Sequence, residues 1–233
     1  MGPRFVIDLF GFEIPDTVPV SLALTLITLV LAWVASRRLR VADPRAWQVA
    51  LETGVSWIHE TLERILGEDP RPYAPLVGGL MLWIALCNLL SVMPMLRPPT
   101  ADLSTTVALA LVVLFAVPAF GIRRHGLLGY LRTYIRPHPL LLPFNLIGEA
   151  TRTLALAVRL FGNSMSSQMI AAVLLIVAGL IVPIPLMMLG LLTGFVQAYI
   201  FGILAAIYIA AAVQVDQKRV AEREPASSPT PTP

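Results

Sequence analysis

"FNLIGEATRTLALAVRLFGNSMSSQMIAAVLLIVAGLI", residues 144–181, followed by "VPIP", residues 182–185, decides the fold. It contains no proline before Pro183, and its charged residues are Glu149, Arg152 and Arg159 alone. Read as one helix from about Phe144 to Ile181, it would be roughly 60 Å long at 1.5 Å per residue, about twice the ~30 Å hydrocarbon core of a bilayer. Such a helix must tilt steeply, kink, or run partly along the surface. Pro183 and Pro185 end it, and a final apolar helix from about Leu186 to Val213 returns. The expectation is a long, steeply tilted helix hairpin at the C-terminal end.

The rest of the chain has the same character. Of 233 residues 57% are hydrophobic and 13% charged, about half the charged share of a soluble domain, and mean hydropathy is +0.77. Apolar stretches at about 18–35, 73–96 and 103–120 add three spans, each long enough or nearly so to cross a bilayer. The fold class is therefore an all-α integral membrane protein with about five transmembrane helices. Residues 44–66 differ: Val49, Val55, Ile58, Leu62 and Ile65 recur at helical spacing among Gln48, Glu52, His59, Glu60 and Glu63. That pattern predicts an amphipathic helix along the membrane surface or against a partner. Residues 1–17 are expected to form an extracytoplasmic segment, without the basic lead-in of a cleaved signal. Residues 18–216 form one membrane domain, and the Pro/Ser/Thr-rich residues 217–233 a disordered cytoplasmic tail. With Cys87 the single cysteine, an internal disulfide is excluded, and nothing suggests a metal or another cofactor.

Orientation follows from Lys and Arg. Residues 37–72 hold six, 121–136 hold four and the tail holds three, and five spans put all thirteen on one side. Arg4 and Arg97 fall on the other. This predicts an N-terminus outside and a C-terminus in the cytoplasm. Arg152 and Arg159 lie within the long helix.

A guanidinium at mid-membrane costs about 2.5–3.5 kcal/mol on insertion scales and cannot deprotonate. Arg159 has at least twenty helical residues after it, which argues against snorkelling to the far interface. Arg152 has Glu149 three residues earlier as a potential i,i+3 partner. Arg152, Arg159 and Ser166 follow one another at seven-residue intervals, each step turning about 20°, and Asn163 lies about 40° from Arg159. Gln168, nine residues past Arg159, faces the opposite way. On the final helix Thr193 and Gln197 share a face with Tyr208, while Gly190 and Gly194 form a small-xxx-small pattern suited to close packing. No acid occurs between Glu149 and Asp216, and Asp102 belongs to the outer turn, so the carboxylate for Arg159 is expected from another chain.

"LALAVRLFGN" (154–163) joined to "FVQAYIFGILAAIYIA" (195–210) resembles subunit a of the F-type ATP synthase membrane sector. "LCNLLSVMP" (86–94), "PTADLSTTVALAL" (99–111) and "PFNLIGEATRTLALAVRLFGN" (143–163) are similar to other stretches of that family, and the likeness covers about residues 18–216. The resemblance implies a non-catalytic, ion-conducting stator subunit beside a rotating c-subunit ring, held by peripheral-stalk b subunits in a bacterial inner membrane. Two half-channels would reach the ring from opposite sides, with Arg159 between them as the essential charge facing the ring carboxylate. Asn163 and Gln197 match polar positions near that arginine, and Asn88 matches an outer half-channel position. Gln168, Ser91, Ser166, Glu149, Arg152 and Thr193 complete the candidate ion pathway.

Many family members carry a Glu and a His on this hairpin, and often an acid on the second span. Here those positions hold Gln168, Gly190 and Ser91. Water in a polar channel suits protons, whereas neutral oxygens suit sodium, and both ions stay open. A secondary transporter would be expected to show two related halves, and no repeat is present. A membrane scaffold would leave Arg159, Asn163 and Gln197 without a role. His59, His125 and His138 lie in surface or loop segments and receive none. No phosphate-binding GxxxxGK[ST] run occurs, and no nucleic-acid partner is expected.

Overall fold

The computed structural model describes residues 7–9, 12–14, 17–38, 46–91, 98–135, 141–179 and 183–213. The tail, Arg97, Lys218 and the ends of several loops fall outside these residues. The N-terminal segment carries a feature not anticipated, a two-stranded antiparallel hairpin of β1 (Ile7–Leu9) and β2 (Phe12–Ile14), with Asp8 opposite Glu13. From there the protein is helical: α1 (Thr17–Arg38), α2 (Ala46–Leu66), α3 (Ala74–Leu90), a 3₁₀ turn (Pro99–Ala101), α4 (Leu103–Ile135), α5 (Leu141–Ala178) and α6 (Pro183–Val213). It is an all-α membrane protein. Leu103–Arg124, Ile147–Val177 and Ile184–Val213 are long and apolar enough to cross a bilayer, and Val18–Val34 and Ala74–Leu90 are shorter apolar helices.

Helix α6 is the centre of the packing and touches α2, α3, α4 and α5. Its buried residues explain why. Ala198, Ala205, Ala206 and Ala210 have little side chain, so neighbouring backbones approach closely around Phe201 and Ile209. Gly202 lies directly against the Met81 side chain of α3, and a Cβ added at Gly194 would sit 2.6 Å from Asn88 Cγ. The packing reading of Gly190 and Gly194 holds: a Cβ at Gly190 would lie 3.3 Å from Ser167 Oγ.

Helix α2 has the expected amphipathic character, yet it rests on this chain's own helices. Leu62 and Leu66 are buried, Ile58 touches Gly78 of α3, and the Trp57 ring lies 5.2 Å from that of Tyr199 on α6. Its Glu60, Glu63 and Arg64 face outward.

Several boundaries differ from those read in the sequence, including the starts of α5, at Leu141 rather than about Phe144, and of α6, at Pro183 rather than about Leu186. Helix α3 ends at Leu90, where the Ser91 hydroxyl turns back to donate to the Asn88 carbonyl at 2.6 Å. The helix of the third apolar stretch continues past Phe120 to Ile135, with a break at Gly126, whose φ of 73° and ψ of 164° are open to glycine and costly for other residues. Helix α5 stops at Ala178 because Gly179 takes a left-handed φ of 70°, a helix-ending conformation. Pro183 and Pro185 then sit in the first turn of α6, where a missing N–H costs no hydrogen bond.

At the end of α2, Glu68 links three elements. It accepts from Tyr73 Oη at 2.9 Å and from Arg124 Nη2 at 3.1 Å, and the Tyr73 ring meets Phe120 edge-on at 5.0 Å. This joins the α2–α3 corner to α4 just before the Gly126 break. Residues 56 apart make the ion pair, so no local sequence signal announced it.

Candidate functional site: the α5–α6 hairpin

Helices α5 and α6 pack side by side, and two contacts set their antiparallel register. Ser167 lies against Gly190 near the hairpin end, and the Arg152 guanidinium lies 5.6 Å from the centre of the Tyr208 ring near the other. The seam is filled from α5 by Leu156, Ala157 and Leu160, all buried. The rest of the α5 surface is open. Arg152, Arg159 and Ser166, aligned by their seven-residue spacing, are all exposed, with Arg152 at the margin of the α6 contact, and apolar Leu154, Val158 and Met169 are exposed as well.

Arg159 has no hydrogen bond or ion pair among the described residues. It presents an exposed guanidinium from the middle of an apolar helix. Asn163, one turn on, is half-buried at the edge of the packed face. The two candidate arginines therefore behave differently. Arg152 lies over the Tyr208 ring, and cation–π contacts of this kind contribute ~0.5–2 kcal/mol. Arg159 has no such contact among the described residues.

The structure places the polar candidates in two groups. Asn88 on α3 is buried and lies on Gly194, with Nδ2 donating to the Gly194 carbonyl at 3.0 Å and to the Ile84 carbonyl at 2.9 Å. Ser91 is next to it through its bond to the Asn88 carbonyl. Gln197 lies one turn beyond Gly194 on α6 and is buried. These three cluster at the α3–α6 contact and along α6. Gln168 belongs to the packed side of α5, half-buried and away from Arg159, as its nine-residue offset demands. Thr193 is exposed and spends its hydroxyl on the Leu189 and Gly190 carbonyls at 3.2 and 2.9 Å. Glu149 is half-buried one turn before Thr153, whose hydroxyl donates to the Glu149 carbonyl.

One buried polar residue escaped the sequence reading. Ser164 is 5% exposed on the packed side of α5, and its hydroxyl finds no partner among the described residues. Its signal was present, since it lies four residues after Leu160, but a serine among "NSMSSQ" does not announce which of its neighbours is buried. Among the described residues no cluster of His, Cys, Asp or Glu could hold a metal ion.

Comparison with known proteins identifies the family. Residues 18–210 match the family model described as ATP synthase A chain. The chain is 51% identical over 187 residues to "ATP synthase subunit a 2" of Acaryochloris marina, covering 80% of each chain. It is 53% identical over 193 residues to "ATP synthase subunit a 2" of Pelobacter propionicus, covering 83% and 84%, and 48% identical over 205 residues to "ATP synthase subunit a" of Nitrosospira multiformis, covering 87% and 82%. Members of this family are non-catalytic subunits of the membrane sector, which agrees with a chain of apolar helices. With the match spanning nearly the whole helical part of the molecule, this chain belongs to the ATP synthase subunit a family.

Proposed function

We propose that this chain is the ion-conducting stator of a rotary F-type ATP synthase, and that Arg159 faces the ion-binding carboxylate of a c-subunit ring. The observation that carries the reading is the placement of Arg159: exposed on the outward face of α5, without a partner among the described residues, in a stretch with no acid between Glu149 and Asp216. A permanent charge in an apolar helix needs a counter-ion, and a partner that presents carboxylates in turn supplies one. Each charge crossing 100 mV releases about 2.3 kcal/mol, which is lost as leakage unless the two aqueous approaches are kept apart. A fixed cation between them repels a free cation and attracts the ionised carboxylate.

In this reading Asn88, Ser91, Gln168, Thr193 and Gln197 line the approach from outside. Glu149, Arg152, Asn163 and Ser166 belong to the face that meets the ring and to its inner approach. The N-terminus is outside, the C-terminus is in the cytoplasm of a bacterium, and b subunits hold the chain against ring torque. Protons are the first choice of ion. The neutral groups at Gln168, Gly190 and Ser91 favour a sodium-translocating version of the same role, since oxygen ligands rather than a titrating group serve that ion.

The test is ATP-driven transport by the whole complex in sealed liposomes. The Arg159→Ala complex should assemble and lose coupled transport. Coupled transport at the parental rate in that variant would refute the role of Arg159. Sodium-22 uptake and internal acidification, each with and without a protonophore, identify the ion. Acidification abolished by the protonophore without sodium uptake means protons, and sodium uptake that persists with it means sodium.

A further inference from the structure

Helices α3 and α4 both pack on α6, and α1 meets the bundle chiefly through α3 and the 3₁₀ turn. Between α1, α3 and α4 this leaves a groove of about 630 Å³, on the far side of the protein's packing from the α5–α6 hairpin. The Trp83 indole bridges it at one point, Nε1 donating to Thr25 Oγ1 of α1 at 3.2 Å. Small residues make the space: Ala108 lines it on α4, and Gly79 lines it on α3, where an added Cβ would meet nothing within 4 Å. No charged residue lines the groove.

Its polarity runs in one direction. Ser21 lies near the start of α1, and Ser104 and Thr105 lie in the first turn of α4. These two helix starts are neighbours, because the 3₁₀ turn that leads into α4 packs on α1. The other end is apolar, lined by Pro75 and Leu76 at the start of α3. There the Tyr73 ring meets Phe120, which sets Pro75 about level with Pro118 of α4. From Ser104 to that level is ~21 Å at 1.5 Å per residue, more than the half-thickness of a ~30 Å hydrocarbon core. Thr105 is half-buried, and its hydroxyl makes no hydrogen bond among the described residues.

We infer that the groove between α1, α3 and α4 binds one acyl chain of a phospholipid, with its ester end at Ser21, Ser104 and Thr105 and its methyl end against Leu76. An apolar groove left empty forfeits dispersion contacts along its whole wall, so something fills it in a bilayer. Size selects the occupant. Taking a methylene group as the size of a water molecule, ~30 Å³, the groove accommodates about twenty of them, one long acyl chain. A helix ~10 Å wide takes up ~120 Å³ per residue, so the same space would hold about five residues, far short of a membrane span. Polarity selects it too. Hydroxyls at one end and hydrocarbon along the rest match an amphiphile, and the Thr105 hydroxyl can donate to an ester carbonyl. The chain stands in for the side chains that Gly79 and Ala108 lack, and so props α1 against the bundle beside the Trp83–Thr25 bond.

The test uses the whole complex in phosphatidylcholine vesicles that contain phosphatidylcholine with a photoreactive diazirine on one acyl chain. After illumination, adducts on this subunit are mapped by peptide mass spectrometry. A diazirine next to the ester should label Ser104 and Thr105, and one near the methyl end should label Leu76 and Gly79. Labelling at these residues should exceed that at Phe115, an exposed residue of α4, by about fivefold, the gain in occupancy from one hydrogen bond. Gly79→Leu, whose side chain enters open space, should abolish labelling in the groove and leave Phe115 labelled as before. Groove labelling no stronger than at Phe115 means bulk lipid only and overturns the inference, as does groove labelling that survives Gly79→Leu. The labelling of the parent complex decides by itself should Gly79→Leu fail to assemble. A photoreactive amino acid in place of Ala108 that couples to another polypeptide rather than to lipid would show a partner helix in the groove, and overturns the inference equally.

Discussion

Replacing Gly194 by alanine tests the contact that locks α3 to α6. The new Cβ would meet Asn88 Cγ at 2.6 Å and Asn88 Cβ and Oδ1 at 2.8 Å, well inside van der Waals contact. Because Asn88 Cβ is itself too close, rotating the carboxamide away does not relieve the clash, and the helices must part. Overpacking of this kind costs about 1–3 kcal/mol. Parting also breaks the 3.0 Å bond from Asn88 Nδ2 to the Gly194 carbonyl and leaves a buried donor short of a partner, a further ~1 kcal/mol or more. A total near 3 kcal/mol corresponds to a fall in thermal midpoint of roughly 6–12 °C for a unit of this size. Asn88→Gly alone should cost about 2 kcal/mol, from a glycine in a helix and the lost hydrogen bonds. In the double variant Asn88→Gly/Gly194→Ala the clash is gone, so the effects should fall short of additive by at least ~1 kcal/mol. Thermal melting of the purified complex, followed by release of this subunit, measures all three. Strict additivity, or a Gly194→Ala complex as stable as the parent, would show that the α3–α6 contact is not the tight one described.

Two other perturbations separate packing from conformation and charge. Tyr208→Leu should destabilise the hairpin by about 0.5–2 kcal/mol through loss of the ring beneath Arg152, while Tyr208→Phe keeps the ring face and should cost less; equal melting points for the two variants would show that Arg152 does not use the ring. Gly126→Ala should cost about 1–2 kcal/mol although nothing lies within 4 Å of the added carbon, because its φ is 73°, whereas Gly162→Ala in the middle of α5, equally free of neighbours, should be neutral or mildly stabilising in the same melting assay.

Much of this molecule is written in local pattern. Most of α5 follows from a largely apolar run with no proline between Pro143 in its first turn and Pro183, and the alignment of Arg152, Arg159 and Ser166 in one stripe follows from their spacing alone. The amphipathic pattern of α2 was equally clear, but it says that one face is buried without saying against what. The answer, α3 and α6, depends on where the chain returns more than a hundred residues later. The same limit hid the Glu68–Tyr73–Arg124 link and the Asn88–Gly194 contact, whose partners are 56 and 106 residues apart in sequence for the longest bonds. It also hid the Tyr208 contact of Arg152, because a local i,i+3 acid such as Glu149 is visible in a sequence and a facing ring is not. The end of α5 was missed for a different reason. Hydropathy is blind to backbone sign, so Gly179 looked like an ordinary member of an apolar helix until its positive φ showed where that helix stops.

By itself, the amino-acid sequence determined that this is a membrane protein of long apolar helices, that a permanent charge sits mid-way along one of them, and that no acid nearby in the chain neutralises it. Those conclusions need composition, periodicity and the cost of burying a charge, all of which are properties of single segments. Tertiary structure alone decided which face of α5 is packed and which is open, that Tyr208 holds Arg152 while Arg159 has no such partner among the described residues, and that Ser164 and Gln197 are buried with hydrogen bonds unmade. Those depend on how helices distant in sequence meet, and close packing of small side chains against one another, rather than any local propensity, sets that meeting.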